Sequence, residues 1–160
     1  MRPVRGGFKL AYEELDLPLV SAPSREQIEK DAHDTDVHVA MRAAAYLKAM
    51  DAGQPISGTV KLPLAVLQIG DDLTFVLMGG EVVTDYSRRL KRLLAADHPW
   101  LVGYAYEVPC YIPSVRLIKE GGYEADSSLI YYGYYGPFKT LIEDQIVGRV
   151  EAMAAGLRRQ

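Results

Sequence analysis

The chain has one cysteine, Cys110. That excludes an internal disulfide framework and any zinc cluster built on thiolates. Long apolar runs are also missing, since no stretch approaches the roughly 18 residues that a membrane-crossing helix needs. The opening residues, MRPVRGGFKL, lack the apolar centre of a secretory leader, so the expectation is a soluble chain with no export signal of its own. Basic charge is not in excess. The formal net charge is −3 and the pI about 5.6, which gives no electrostatic footprint for nucleic acid. The one basic run, Arg88-Arg89-Leu90-Lys91-Arg92, reads as the solvated face of a helix. Histidines are few, and their spacing does not make a metal set. His33 and His38 are five apart, which does not align ligands on one helical face as four does, and His98 reads as a loop residue.

What remains is an ordinary domain with one unusual residue type. A chain of 160 residues, 49% hydrophobic and 24% charged, is enough to bury a core. It holds 11 tyrosines against 3 phenylalanines and 1 tryptophan, most of them between Tyr86 and Tyr135. There is no repeat and no low-complexity segment. Ser24 and Gln27 have the spacing of a capping box, which predicts a helix start. Ala- and Leu-rich sequence then extends the helix to Gly53, with a kink near Asp34-Thr35-Asp36. From Ser57 the period changes to that of strands. GTVKLPLAVLQIG and LTFVLMG predict a hairpin turning at Asp71-Asp72, and Pro63 marks an edge or a bulge. After Gly79-Gly80, apolar residues recur at helical spacing through Leu94. A short strand WLVGYAY, an irregular segment over 107–126, a strand SSLIYYG and a helix from near Pro137 complete the reading. That last helix carries Ile142, Ile146, Val150 and Met153 on one stripe. The order predicts a single layered α/β domain, a mixed sheet flanked by helices.

In open α/β sheets, ligands bind beyond the carboxyl ends of the strands. Three segments leave such ends here: Gly79-Gly80-Glu81, Glu107 to Tyr111, and Gly133 to Gly136. Glu81 reads either as a charge satisfying a helix terminus or as a carboxylate presented into a cleft, a metal ligand or a base. Tyr111 sits in VPCYIPS between two prolines that stiffen it. It reads either as a packed ring with a wet hydroxyl or as Glu81's partner across the sheet end. Cys110 with His98 forms a nucleophile–base pair on paper only, because a buried inert thiol is the ordinary outcome. The run YYGYYGPF, with Tyr132, Tyr134 and Tyr135, reads as packed tyrosines or as a lining for something amphipathic such as an acyl chain or a sugar.

Taken together, GGEVVTDYSRRLKRLL, LVGYAYEVPCYIPSVR and EGGYEADSSLIYYGYYGPF resemble the neutral/alkaline, non-lysosomal ceramidase family, and the shorter bacterial ceramidase-like proteins in particular. The likeness runs from about Val4 to Met153 and is densest over 70–150. The resemblance implies a zinc-dependent amidohydrolase that cleaves the N-acyl amide of ceramide or a related lipid amide. In that family zinc is held by two histidines, a glutamate and a tyrosine. The glutamate matches Glu81, ahead of Arg88-Arg89-Leu90, and the tyrosine matches Tyr111, ahead of Ile112. A Tyr-Glu pair near the family's active site matches Tyr123-Glu124, which implies Tyr123 as donor to the developing oxyanion. The family's histidine ligands and catalytic serine region belong to an N-terminal portion not present in this sequence, and His33, His38 and His98 do not match those ligands. The expectation is therefore the C-terminal part of a catalytic domain, inactive alone. It would be completed by a separate N-terminal polypeptide or a homo-oligomer and would hold zinc only with the missing ligands. Family members are often secreted or periplasmic. The alternative is a non-enzymatic domain of the same fold that binds a partner through an exposed apolar face.

Overall fold

Eleven residues that the sequence pattern leaves unassigned, Phe8–Pro18, form strand β1. Its apolar residues change parity midway. Phe8, Leu10 and Tyr12 point to one side of the strand, and the buried Leu15 and Leu17 point to the other. The computed structural model describes residues 4–70 and 73–159. Helix α1, Arg25–Asp31, starts where expected, with the Ser24 side chain accepting the Gln27 N–H at 3.3 Å. The expected kink is a full break. Helix α2, Val37–Asp51, has its own cap, the Asp36 carboxylate accepting from the His38 N–H at 2.8 Å.

Strands β2, Thr59–Ile69, and β3, Leu73–Met78, form the expected antiparallel hairpin. Its Asp71-Asp72 turn lies outside the described residues. Pro63 stands in a strand with neighbours on both sides in the sheet, which corrects the edge reading. The reason it fits is local. β3 pairs with β2 only as far as Leu64↔Met78, so β3 leaves the sheet where Pro63 lacks its N–H, and only the Pro63 carbonyl is used, by the Gly79 N–H at 2.8 Å.

The chain continues through a two-residue strand β4, Glu81–Val82, helix α3, Thr84–Leu93, and strand β5, Pro99–Val102. β5 lies parallel to β3 and gives the mixed order β1-β2-β3-β5. A second small sheet joins β4 to β6, Tyr111–Ile112. Helix α4 is Val115–Glu120, and the last helix, α5, is Ile142–Arg158. Two expectations fail. Ser127–Tyr132 is a 3-10 turn and not a strand, because three-residue bonds such as Leu129 N–H to the Asp126 carbonyl and Gly133 N–H to the Ile130 carbonyl close it locally. The final helix begins at Ile142, after a bridge from Leu19 to Phe138, and not at Pro137. The α/β class, a mixed sheet flanked by helices, stands.

One face of the sheet is covered. Leu15, Leu17, Leu62, Leu64, Val66, Val76 and Met78 pack against α5 and α3, and the predicted stripe Ile142, Ile146, Val150 and Met153 is buried. Each such side chain stabilises by about 1.5–3 kcal/mol. The other face is largely open, although Ala65 on it is buried. Register places Leu10, Leu67, Phe75 and Trp100 in one row across all four strands, and Tyr12, Ala65, Leu77 and Val102 in the next. Phe8 is 75% exposed, Leu10 60% and Trp100 64%. A smaller core of Ile28, Ala43 and Tyr135 ties α1 to α2. Among the described residues no helix is long and apolar enough to cross a membrane.

Candidate functional site at the ends of β3 and β5

Parallel β3 and β5 end side by side, and the chain leaving each of them crosses the other's path. The two glycines after β3 are explained by that crossing. A Cβ on Gly79 would stand 2.8 Å from the Glu107 carbonyl oxygen. One on Gly80 would stand 2.7 Å from Ile112 Cγ1 and 2.9 Å from the Cys110 oxygen. Gly80 also has φ +78, which a side chain would strain. With no side chains in the way, the Gly80 N–H bonds the Glu107 carbonyl and the Glu81 N–H bonds the Cys110 carbonyl, both at 2.9 Å.

That backbone bonding sets the register of β4 and β6, in which Glu81 is the partner of Tyr111 and Val82 of Ile112. Residues 30 apart in sequence are thus brought together as cross-strand neighbours. Glu81 is not in the first turn of a helix, since α3 starts at Thr84. The dipole explanation for its charge falls away, and tyrosines take its place. Tyr132 Oη donates to Glu81 Oε1 at 2.6 Å, and Tyr104 Oη donates to Oε2 at 2.7 Å. The bonds from Tyr132 and Tyr104 hold the Glu81 carboxyl below the usual carboxylate range, against the opposing effect of partial burial. The Tyr111 phenol responds in the opposite sense: its polar contact with Glu81, with desolvation second, pushes it up to about 12. Tyr132 is raised for the same reasons. The site at neutral pH is an ionised carboxylate among neutral phenols.

A cavity of about 370 Å³ opens beside this cluster, walled by Glu81, Tyr104, Tyr111, Arg116, Leu117 and Glu124. Arg116 is fixed by Asp85 at 3.1 Å and by Glu120 at 2.7 Å. Tyr123 does not reach Glu81. It stands edge-on to Tyr111, ring centres 5.7 Å apart, and is exposed. Of the three tyrosines expected to line a ligand surface, Tyr132 bonds Glu81 and Tyr134 walls a separate cavity with Tyr46. Tyr135 is buried with its hydroxyl on Asp31 at 2.9 Å, and is a packing residue of the smaller core. Sequence reasoning misses Tyr104. Its signal is its place just past the carboxyl end of a strand parallel to β3.

The other candidates stay apart. Cys110 is buried, and desolvation, with the Glu81 charge second, pushes its thiol up to about 12, the wrong direction for a nucleophile. His98 precedes β5, at the opposite end of that strand from Cys110. His38 lies against Tyr131, ring centres 4.9 Å apart. Among the described residues no three or more His, Cys, Asp or Glu side chains gather as a metal-holding group. Glu81 and Tyr111 are two oxygen donors on adjacent strands facing one cavity, fewer than the three protein ligands that even an open zinc site takes.

The fold defines an α/β protein with a tyrosine-bound carboxylate at the carboxyl ends of its parallel strands. No family model, curated protein or solved structure matches the chain.

Proposed function

We propose that this chain supplies the glutamate–tyrosine half of a zinc-dependent amidohydrolase acting on an N-acyl lipid amide, of the kind neutral ceramidases cleave. The observation that carries the reading is the register pairing of Glu81 with Tyr111 beside the 370 Å³ cavity. Those are the two positions that the family resemblance assigns as ligands. In this reading Glu81 and Tyr111 hold the ion, with two histidines contributed from outside this sequence. When bound, zinc lowers the pKa of a water molecule and polarises a carbonyl oxygen. The chain's own residues do the rest. Tyr104 and Tyr132 fix the orientation of the Glu81 carboxylate. Glu81, already ionised, needs no proton removed before it can ligate, whereas Tyr111 must release one. In this reading Tyr123, packed edge-on against Tyr111, donates to the substrate's carbonyl oxygen.

Calorimetric zinc titration of the isolated chain tests this. The expected result is no tight site, together with a change in tyrosine absorbance at large zinc excess that Glu81→Gln abolishes. A tight stoichiometric site would overturn the half-shell. A native chain whose tyrosine spectrum ignores zinc would overturn the assignment of Glu81 and Tyr111.

The open sheet face favours a second reading, a domain whose work is to bind a polypeptide partner. Aromatic side chains contribute about 150–250 Å² each when buried, and monomers seldom expose apolar patches beyond a few hundred Å². Trp100, Phe8 and Tyr12 together reach that scale. Association that survives charging of this face would remove the support for this reading.

A further inference from the structure

A groove runs along α2 on the side of the molecule that carries the 131–135 tyrosines. His38, Met41, Arg42, Ala45, Tyr46 and Ala49 recur at intervals of three, four and one, which places them on one stripe of the helix. Two cavities lie along that stripe, of about 300 Å³ at the His38 end and about 280 Å³ at the Ala49 end. They share Ala45 and Gly133 as walls and so lie next to each other along the stripe. From His38 to Ala49 the helix rises about 16 Å, the length of a medium-chain acyl tail. The Ala49 end is apolar, closed by Pro55, Ile56 and Tyr134.

The His38 end carries a cation that no acid pairs. Two arginines of the described residues are half-buried, Arg89 and Arg42. Arg89 is bridged by Glu143 and Asp144. Arg42 has no ion-pair partner among the described residues. It lies 3.7 Å over the Tyr135 ring and donates from Nη1 to the Tyr134 carbonyl at 3.1 Å, while its buried Nε has no hydrogen-bond partner. The nearby acid, Asp31, accepts from the Tyr135 hydroxyl. A partly desolvated guanidinium at one end of an apolar groove complements an anionic head on an apolar tail.

We propose that this groove binds a single-chain amphiphile with an anionic headgroup, a carboxylate or a phosphate, the head at Arg42 and the tail along Ala45, Ala49 and Ile56. The inference stands apart from the zinc reading, because no residue of the groove stripe is a proposed ligand. It bears on that reading through Tyr132, which walls the groove and also holds Glu81.

The test is calorimetric titration of the whole chain, below micelle concentration, with laurate, dodecyl phosphate and dodecanol. One or both anions should bind one to one and at least roughly tenfold tighter than the alcohol, about what a charge-assisted bond contributes, and the tighter anion identifies the head. Arg42→Gln should remove the preference, Arg42→Lys should keep part of it, and Ala45→Trp should block the groove while leaving Arg42 in place. Thermal unfolding checks that each variant is folded. Should both Arg42 variants unfold, Ala45→Trp decides alone, since anion binding that survives it overturns the proposal. Equal binding of dodecanol, absence of anion binding, or an unchanged preference in folded Arg42→Gln overturns it as well. Because these titrations contain no metal, their failure leaves the zinc reading to its own test.

Discussion

Tyr132 and Glu81 lie 51 residues apart in the chain and meet at 2.6 Å, the phenol donating to Oε1. With Tyr104 on the second oxygen at 2.7 Å, the carboxylate has a hydroxyl donor on each atom before any ligand arrives. That arrangement separates a positioned carboxylate from a freely solvated surface charge, and it can be taken apart one hydroxyl at a time.

Tyr132→Phe should raise the Glu81 titration towards the ordinary carboxylate range, and Tyr104→Phe should do so to a smaller extent. Tyr132 leads because it is the largest cause of the lowered value. A hydrogen bond to an ionised group is worth about 1.5–3 kcal/mol. The half-open site brings the expected loss of stability for Tyr132→Phe towards about 1 kcal/mol by solvent screening. Carboxyl-resolved NMR titration gives the first quantity and urea unfolding the second. A Glu81 titration unchanged in the double variant would show that the hydroxyls do not set its charge.

Gly80→Ala should be among the most damaging single substitutions in the chain. The left-handed backbone costs a side chain about 1–2 kcal/mol. The new methyl would also stand 2.7 Å from Ile112 Cγ1 and 2.9 Å from the Cys110 oxygen, contacts that push β4 away from β6. A total loss of about 2 kcal/mol or more is expected in denaturant unfolding. Amide exchange at Glu81, whose N–H bonds Cys110, should rise with it. A Gly80→Ala variant as stable as the parent would mean that the crossing of the two chains is not tight.

Acid stability should depend on Asp85. The Ser114 hydroxyl at 2.6 Å, with Arg116 adding its charge, lowers the Asp85 carboxyl below its usual value. A carboxyl depressed in the folded state stabilises above the unfolded value of about 3.9, and that contribution is lost as the pH falls through the folded value. Ser114→Ala should therefore flatten the decline of stability below about pH 4. Ser114 also caps α4 by accepting from Leu117 at 3.4 Å, so a uniform loss of about 1 kcal/mol at neutral pH should accompany it. A pH profile parallel to the parent's would remove Asp85 from the acid transition.

The parts of this fold legible in the sequence are those whose signal is local. Ser24 capping Gln27, the 59–78 hairpin, and the stripe Ile142, Ile146, Val150 and Met153 each lie within one regular element or two consecutive ones. Glu81 and Tyr111 were legible as neighbours because the strand order brings their two loops to one sheet edge. Strand β1 was not legible, because its apolar residues change faces between Tyr12 and Leu15. Half of the strand serves the core and half serves the open face, so no single alternation runs through it. Tyr132 and Tyr104 as donors to Glu81 were not legible either. Leu129-Ile130-Tyr131-Tyr132 has strand propensity yet closes into a 3-10 segment, and only the tertiary fold aims Tyr132 back at the carboxylate.

The open sheet face gives the last prediction. Leu10 and Trp100 lie in the same cross-strand row, at opposite edges of the sheet, and both are well exposed. Neither helps to bury the main core, so Leu10→Lys with Trp100→Lys should change unfolding stability by about 0.5 kcal/mol or less. Association is a different matter. A buried lysine opposite an apolar layer must be desolvated without a partner, so the double variant should lose any contact that this face makes. Sedimentation velocity over a wide concentration range should find the parent chain self-associating, or held by whatever polypeptide accompanies it, and the charged variant free. The neighbouring row begins at Tyr12, and Tyr106 packs edge-on against Tyr12 at 5.3 Å, two residues from the Tyr104 that holds Glu81. A layer seated on the sheet over Tyr12 would therefore also meet Tyr106, close along the chain to the Tyr104 that holds Glu81. If the charged variant associates as the parent does, the contact lies elsewhere, and the open face no longer supports a partner.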